Sequence, residues 1–293
     1  MEDAVRLMQL VVNGAAAGCI YGLIALGFVL IYKATEMVNF AQGDIMMLGV
    51  FVAFSAIVHW GFNYWIGALI AIAATAAFGY LLDAVVLRRV IGQPQFAVVM
   101  LTLGLGFIFR AIAGITWGYD SFSFNTPFTN KTVTLGRLVL GEDNLSIIAG
   151  TLILCLVLYL FFAKTRLGVA MQASSQNQLA AYYMGIPVKR INGLVWGLAA
   201  AVAAIAGLLL APITFVHANM GFVGLKAFPA AVVGGFGSLP GAIVGGLIIG
   251  IVESLAGFYA AEGWKDIAPY VAVLLMLWVK PSGIFGDKLR KKV

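Results

Sequence analysis

Long uncharged runs of apolar residues dominate the pattern of this 293-residue chain. Several approach or reach the roughly 20 residues that an α-helix needs to cross about 30 Å of hydrocarbon. The longest are 7–32, 66–82, 96–109 with its extension, 145–163, 194–211 and 267–279. They lack the strict alternation of membrane β-barrel strands. With shorter apolar pieces included, the pattern predicts an all-α polytopic membrane protein with about 8 or 9 transmembrane or half-spanning helices.

Composition agrees with a membrane location, because 62% of the residues are hydrophobic and only 10% are charged. So little polar surface cannot cover the apolar mass of a soluble domain. No linker or soluble boundary interrupts the chain, so residues 1–293 are predicted to form one membrane domain. The formal charge of +6 is interpreted as a signal of membrane orientation, and nucleic acid is not predicted as a partner.

The basic residues are unevenly distributed between the two sides of the predicted bundle. If the polar segment 164–190 is cytoplasmic and the sides alternate along the chain, twelve Lys and Arg fall inside, including four from Lys288 onward, and five fall outside, including Lys226. This excess predicts a multi-pass protein of the bacterial inner (plasma) membrane with its N-terminus outside and its C-terminus cytoplasmic. We find no signal-peptide pattern at the start, so the first helix is expected to remain in the protein.

Two apolar segments are too short or too broken to be simple spans. In the first, a helix is predicted from about residue 44, with Asn39 as a possible N-cap, and it is short enough to begin within the membrane; an ordinary cytoplasmic cap is the alternative. In the second, a half-span ends at glycines and a proline. Since irregular backbone at membrane depth is tolerated where it lines a cavity, we predict that the following residues line a translocation path: Asn39, Phe40, Ala41, Gln42, Gly43, Asp44, Gly234, Gly235, Gly237, Ser238, Pro240 and Gly241.

Glycines and isolated charges inside the helices also carry predictions. Glycines four residues apart, as in Gly14, Gly18 and Gly22, predict close helix packing. Arg110 and Glu253 lie at a similar calculated depth in apolar helices, where an unpaired charge is costly. We predict a possible intramembrane ion pair between them, with attraction of a zwitterionic solute as the alternative role.

No enzyme motif is present. The chain lacks a His-Glu-x-x-His metal motif, a Gly-x-Ser-x-Gly nucleophile elbow and a Walker A sequence. Cys19 and Cys155 fall inside apolar runs, where a thiol behaves as a small hydrophobe. We therefore predict no catalytic residue, no metal site and no cofactor in this chain, and any energy from ATP would have to come from a partner protein.

The segment 164–190 is a polar, basic, helix-compatible island between long apolar runs. Small and apolar residues at helical spacing end at Gly185 and Pro187. Thr165-Arg166-Leu167-Gly168, the Ala- and Gln-rich stretch after it, and Met184-Gly185-Ile186 resemble the cytoplasmic coupling loop of ABC importer permeases. Together with Val38-Asn39-Phe40-Ala41-Gln42-Gly43-Asp44, the run 230–242 and Lys280-Pro281-Ser282-Gly283, nearly the whole chain resembles the LivH-type permeases of branched-chain amino acid ABC transporters.

This resemblance implies function and partners. It implies a permease subunit that forms the translocation path for branched-chain or other hydrophobic amino acids or a related small solute. The implied partners are a LivM-like second permease, two cytoplasmic ATPase subunits that use ATP, a solute-binding protein and the lipid bilayer. A helix at 171–186 would dock on the ATPase, although the uncharged run 174–178 argues against salt-bridge docking there. The predicted coupling residues are Arg166, Gly168, Ala173, Ala181, Met184, Gly185 and Ile186.

A self-sufficient channel or secondary transporter for a small polar solute, such as urea or an amide, is the alternative function. Broken helices alone would permit it. It leaves the coupling-like island unexplained, and such carriers usually place ionisable residues along the path, which this chain largely lacks.

Overall fold

The computed structural model describes residues 2–90, 92–123, 126–128, 131–135 and 138–286. In this part of the chain eleven α-helices are accompanied by one short antiparallel hairpin. The elements are α1 (Glu2–Thr35), α2 (Gln42–Phe54), α3 (Tyr64–Val85), α4 (Gln95–Trp117), β1 (Thr132–Leu135), β2 (Leu138–Gly141), α5 (Glu142–Lys164), α6 (Arg166–Gln176), α7 (Gln178–Tyr183), α8 (Val188–Leu210), α9 (Val223–Gly234), α10 (Leu239–Tyr259) and α11 (Trp264–Val279).

Seven helical segments of the described chain are long and apolar enough to cross a membrane. They include α2 with its π-helical extension Ser55–His59, and α3 with the 3₁₀ turn Leu87–Arg89. The predicted polytopic all-α fold is confirmed. Two further helices are shorter: α9, an apolar helix, has 12 residues, and α11 has 16. The tail from Lys288 onward, on which part of the orientation argument rests, lies outside the described residues.

Contacts between helices fix their relative directions. Gly14, Gly18 and Gly22 of α1 lie against Gly250, Gly246 and Ile243 of α10, so these two helices run antiparallel. Phe28 of α1 pairs with Phe228 of α9, and Tyr32 of α1 pairs with Phe236 just after α9, so α9 runs parallel to α1. The predicted use of the Gly14, Gly18 and Gly22 series for close packing is confirmed, and the packing is within the chain.

The core lies around α1, α2 and α8. Large side chains such as Phe28, Phe51 and Trp196 are almost fully buried there. In contrast, α4 and α5 bury only a narrow stripe and leave most of their apolar surface uncovered. Such an uncovered apolar surface is suited to lipid or to another membrane subunit.

The two ends of the bundle differ. At one end lie the hairpin and the segment before it, held to the chain after α8 by mutual backbone hydrogen bonds between Phe122 and Val216. At the other end lie α6 and α7, where Gln178 donates a hydrogen bond of 2.6 Å to the Ala34 carbonyl at the end of α1. The single coupling helix predicted over 171–186 is wrong in this detail, because Asn177 ends α6 and its side chain accepts from the Ala180 N–H to start α7.

A matched pair of substitutions tests the packing of α1 on α10. In Gly18→Ala the new Cβ would lie 2.7 Å from the Gly246 carbonyl oxygen, so the helices must separate. Gly104 has open space at the same atom. We expect Gly18→Ala to lower the free energy of unfolding by about 1–3 kcal/mol, and Gly104→Ala to leave it unchanged or raise it by about 0.5–1 kcal/mol. Thermal unfolding of the purified variants measures both; equal effects would contradict this packing.

Candidate functional site

The N-terminal end of α2 lies at the middle of the bundle. The Gln42 side chain donates a 3.0 Å hydrogen bond to the carbonyl of Ala199, the middle residue of α8. The Asp44 carboxylate lies directly against Gly106, the middle residue of α4. Two independent long helices therefore place the start of α2 at mid-depth. This supports a start within the membrane over an ordinary cytoplasmic cap.

Buried polar side chains satisfy the backbone where α2 begins. Asn39 accepts a hydrogen bond from the Ala41 N–H at 3.1 Å, and its amide donates to Gln42. The Thr102 hydroxyl accepts from the Phe40 N–H. The N-cap is Ala41 rather than the predicted Asn39, since Asn39 forms its turn two residues earlier. These contacts pair the Phe40 and Ala41 N–H groups within the protein, as backbone at membrane depth requires.

The start of α9 meets the start of α2 at the same depth. Gly43 packs against Gly221 and Gly224, with no side chain between the two backbones. From this point α2 runs parallel to α4, because Asp44 lies beside Arg110 and Phe51 stacks on Trp117. Since α9 instead follows α1 toward the α6/α7 end, the two short helices point in opposite directions from one meeting place.

The two predicted path segments occupy different places. Residues 39–44 contact the start of α9, whereas residues 234–241 lie at its other end. There Gly235 has φ +101°, and the Phe285 N–H donates to the Gly234 carbonyl. Rings of Phe40, Phe228 and Phe236 form a chain between the two places. Whether both segments line a path remains a prediction.

Sequence reasoning missed the contribution of residues 220–224. Here a 3₁₀ turn, Met220–Phe222, precedes α9. The sequence Gly221-Phe222-Val223-Gly224, with two glycines three residues apart, could have indicated a close backbone contact here. Without the position of α2 there was no means of knowing what these glycines approach.

Arg110 forms an ion pair with Asp44. Its Nε donates at 2.6 Å to one carboxylate oxygen and its Nη2 donates at 3.2 Å to the other. The guanidinium carbon lies 3.8 Å from the centre of the Phe222 ring and 5.3 Å from that of Phe107. Two-point pairing and aromatic stacking are both typical of arginine. The cluster joins α2, α4 and the turn before α9.

Glu253 has a different partner, and the predicted Arg110–Glu253 pair is therefore wrong. Lys226 of α9 contacts Glu253 of α10 at 3.3 Å and Asp266 of α11 at 2.5 Å. Depth alone could not separate the two clusters, because residues at one depth can lie on opposite sides of a bundle. Lys226, which is expected on the outer side, instead lies within α9 with its side chain partly buried.

The end with α6 and α7 carries an exposed apolar surface. Leu179, Tyr182, Tyr183 and Met184 are 64–83% exposed, and we call these four residues the α7 surface. In contrast, Ala181 is 5% exposed and Gly168 lies against the backbone of Phe161 and Phe162. Among the predicted coupling residues, Ala181 and Gly168 thus position the segment, while Met184 and Arg166 present side chains outward. Gly185 adopts φ +83° and ends α7, as its sequence position predicted.

These features define a class of protein. Many apolar helices, two short helices that start opposite one another at mid-depth, and an exposed helical segment at one end are typical of a multi-pass transport permease. A family model described as "Branched-chain amino acid transport system / permease component" matches residues 10–279. The chain belongs to this family of permeases. The family is a transport family and not an enzyme family.

Named relatives match over all or most of the chain. The chain is 31% identical to the high-affinity branched-chain amino acid transport system permease protein LivH of Escherichia coli K12, covering 100% of this chain and 99% of LivH. It is 31% identical to BraD of Pseudomonas aeruginosa, with 100% of both chains covered. It is 27% identical to the fructose import permease protein FruG of Bifidobacterium longum, covering 84% of this chain and 77% of FruG. A self-sufficient channel or secondary transporter is not favoured by these similarities.

The Asp44–Arg110 pair generates a stability prediction. In Asp44→Asn the Arg110 side chain, which is 16% exposed, loses its buried counter-charge; the cost is at most that of fully buried pairs, about 3–5 kcal/mol. The double variant Asp44→Asn, Arg110→Gln leaves no buried charge, so we expect it to recover most of that loss. Chemical or thermal unfolding in detergent measures this.

Asp266→Asn is the matched control. Asp266 is largely exposed, and Lys226 keeps Glu253 as a partner, so we expect a loss of at most about 1 kcal/mol. A double variant as unstable as Asp44→Asn alone would show that charge pairing is not what holds this cluster.

Proposed function

We propose that this chain is the permease subunit of an ATP-driven importer for branched-chain or related hydrophobic amino acids. The observation that carries the proposal is the full-length similarity to two permeases named for branched-chain amino acid transport. The opposed starts of α2 and α9 support it, because they place irregular backbone at the depth where a path needs polar groups. Similarity to a fructose permease indicates that solute class varies among relatives.

The partners in this proposal are a LivM-like second permease, two ATPase subunits and a solute-binding protein. The uncovered apolar faces of α4 and α5 support a second membrane subunit, because they are not buried within this chain. The α7 surface supports an ATPase contact. Its exposed rings and methionine at the end of a bundle would be unfavourable if left in water, and such surfaces mark protein interfaces.

The proposed location is the bacterial inner (plasma) membrane, with α6 and α7 on the cytoplasmic side. Four basic residues lie near α7, two after the end of α3 and two at the start of α8: Arg88, Arg89, Lys189 and Arg190. Such a cluster favours the cytoplasmic side. This orientation places the N-terminus and the hairpin outside, where the solute-binding protein would dock.

Transport by the assembled complex tests the proposed function. The chain is reconstituted in proteoliposomes with its co-expressed second permease and ATPases, and leucine-loaded binding protein is added. These proteoliposomes should accumulate labelled leucine only when ATP is present on the side of the membrane where the ATPases lie. Excess isoleucine or valine should compete, whereas fructose and urea should not. Leucine flux through the chain alone, without ATPase, would instead show an autonomous carrier.

The α7 surface gives a second test. We expect Tyr183→Arg combined with Met184→Arg to reduce co-purification of the ATPases at least tenfold, because two charges would replace apolar contacts at the interface. Tyr119→Arg is the control, since Tyr119 is also exposed but lies at the hairpin end. Both variants should retain the unfolding temperature of the wild-type chain. ATPases that co-purify equally with both variants would exclude the α7 surface as the docking site.

A further inference from the structure

The guanidinium of Arg110 has hydrogen-bonding capacity that its ion pair does not use. Arginine carries five N–H donors. Asp44 accepts from Nε and from one hydrogen on Nη2. Within the described residues the other three donors, two on Nη1 and one on Nη2, have no acceptor. The ion pair therefore leaves one edge of the cation available.

Apolar side chains border this available edge. Phe107 and Phe222, the two rings beside the guanidinium, are 66% and 46% exposed, and Leu225 lies one turn along α9 from Phe222 and is 36% exposed. We call Phe107, Arg110, Phe222 and Leu225 the Arg110 surface. It combines a fixed cation with uncovered rings and an aliphatic side chain. Those are the groups that would contact a molecule with a carboxylate at one end and a hydrocarbon at the other.

The depth of this surface argues against contact with lipid. Gly106, the middle residue of α4, is one turn from Arg110. Three unpaired N–H groups facing hydrocarbon near that depth would be costly. Only a water-filled cavity or another polar group can satisfy them. The Arg110 surface is therefore expected to face a path that a second permease encloses.

We propose that the Arg110 surface is a carboxylate-binding site in the translocation path. This inference rests on the proposed function: Arg110 donates hydrogen bonds to the carboxylate of a hydrophobic amino acid. The hydrocarbon side chain of that amino acid lies on Phe107, Phe222 and Leu225. Asp44 is the positioning residue: it fixes the guanidinium edge and offsets its charge. A neutralised cation holds a passing carboxylate less tightly, as a transport path requires, because a bound solute must also leave.

Cysteine protection tests this site in the assembled complex. In a background with Cys19→Ala and Cys155→Ala, Leu225→Cys reports on the Arg110 surface and Tyr119→Cys on an exposed position at the hairpin end. A water-soluble maleimide is the label. The probes are 4-methylpentanoate, which has the leucine carbon chain and carboxylate without the ammonium, and 3-methylbutylamine, which has the ammonium without the carboxylate.

The expected result is that 4-methylpentanoate and leucine slow labelling of Leu225→Cys several-fold, whereas 3-methylbutylamine does not. Labelling of Tyr119→Cys should not respond to any probe. Adding Asp44→Asn and Arg110→Gln should abolish the protection and lower leucine uptake roughly 10- to 100-fold. If this double variant does not assemble, Arg110→Lys serves, because lysine keeps a charge for Asp44 but loses the planar fork; protection should fall there too.

Three outcomes would overturn the proposal. If the maleimide does not label Leu225→Cys in the complex without any probe, the Arg110 surface lies in lipid or in a tight interface. If 3-methylbutylamine slows labelling of Leu225→Cys as much as 4-methylpentanoate does, the probes cover the cysteine but the site does not recognise the carboxylate. Leucine uptake by the Asp44→Asn, Arg110→Gln variant at the wild-type rate would assign Arg110 a structural role only. In each case wild-type uptake of leucine would remain, whereas a wild-type complex without ATP-driven uptake would instead contradict the proposed function.

Discussion

The constraint on which this structure depends is that a helix starting at mid-depth must satisfy its first backbone N–H groups without water. In lipid each unsatisfied group costs several kcal/mol. Where the chain enters α2, the Phe40 N–H donates to the Thr102 hydroxyl, the Ala41 N–H to the Asn39 side chain, and the Gln42 N–H to the Asn39 carbonyl. The close contact of Gly43 with Gly221 and Gly224 then brings α9 to the same point. Any side chain at these glycines would separate the two short helices.

Much of the architecture could be predicted from the sequence, because the bilayer imposes a length on every apolar helix. The interruption at 39–44 was also readable, since the apolar run after it is too short for a simple crossing. The partners of the buried charges could not be predicted. Depth follows from counting residues along a helix, but the side of the bundle that a residue faces depends on packing between helices distant in sequence. Arg110 was therefore paired with Glu253, although Asp44 is its partner.

The coupling segment shows the same limit on a smaller scale. Its position and its stop at Gly185 follow from local propensity, and the structure agrees. Which small residues face outward does not follow, because alanines at helical spacing serve equally well for packing inward. Ala181 packs inward, and the neighbouring Tyr182 and Tyr183 carry the exposed surface. The exposure of Tyr182 and Tyr183 beside the buried Ala181 therefore becomes visible only in the structure.

The two charged clusters differ in how easily they can be broken, and this difference shows where α9 is held most firmly. Phe222 and Lys226, one helical turn apart, connect the start of α9 to Arg110 and to Glu253 respectively. Removing Lys226 would strand the buried Glu253 carboxylate, at a cost of about 3–5 kcal/mol. Separating Phe222 from Arg110 costs only about 0.5–2 kcal/mol, and the Asp44 pair is kept. The Lys226 ion pair therefore holds α9 to α10 and α11 more firmly than the ring contact holds it to Arg110. On its other side α9 meets the α2 region through the backbone contact of Gly43 with Gly224 and the ring contact of Phe40 with Phe228.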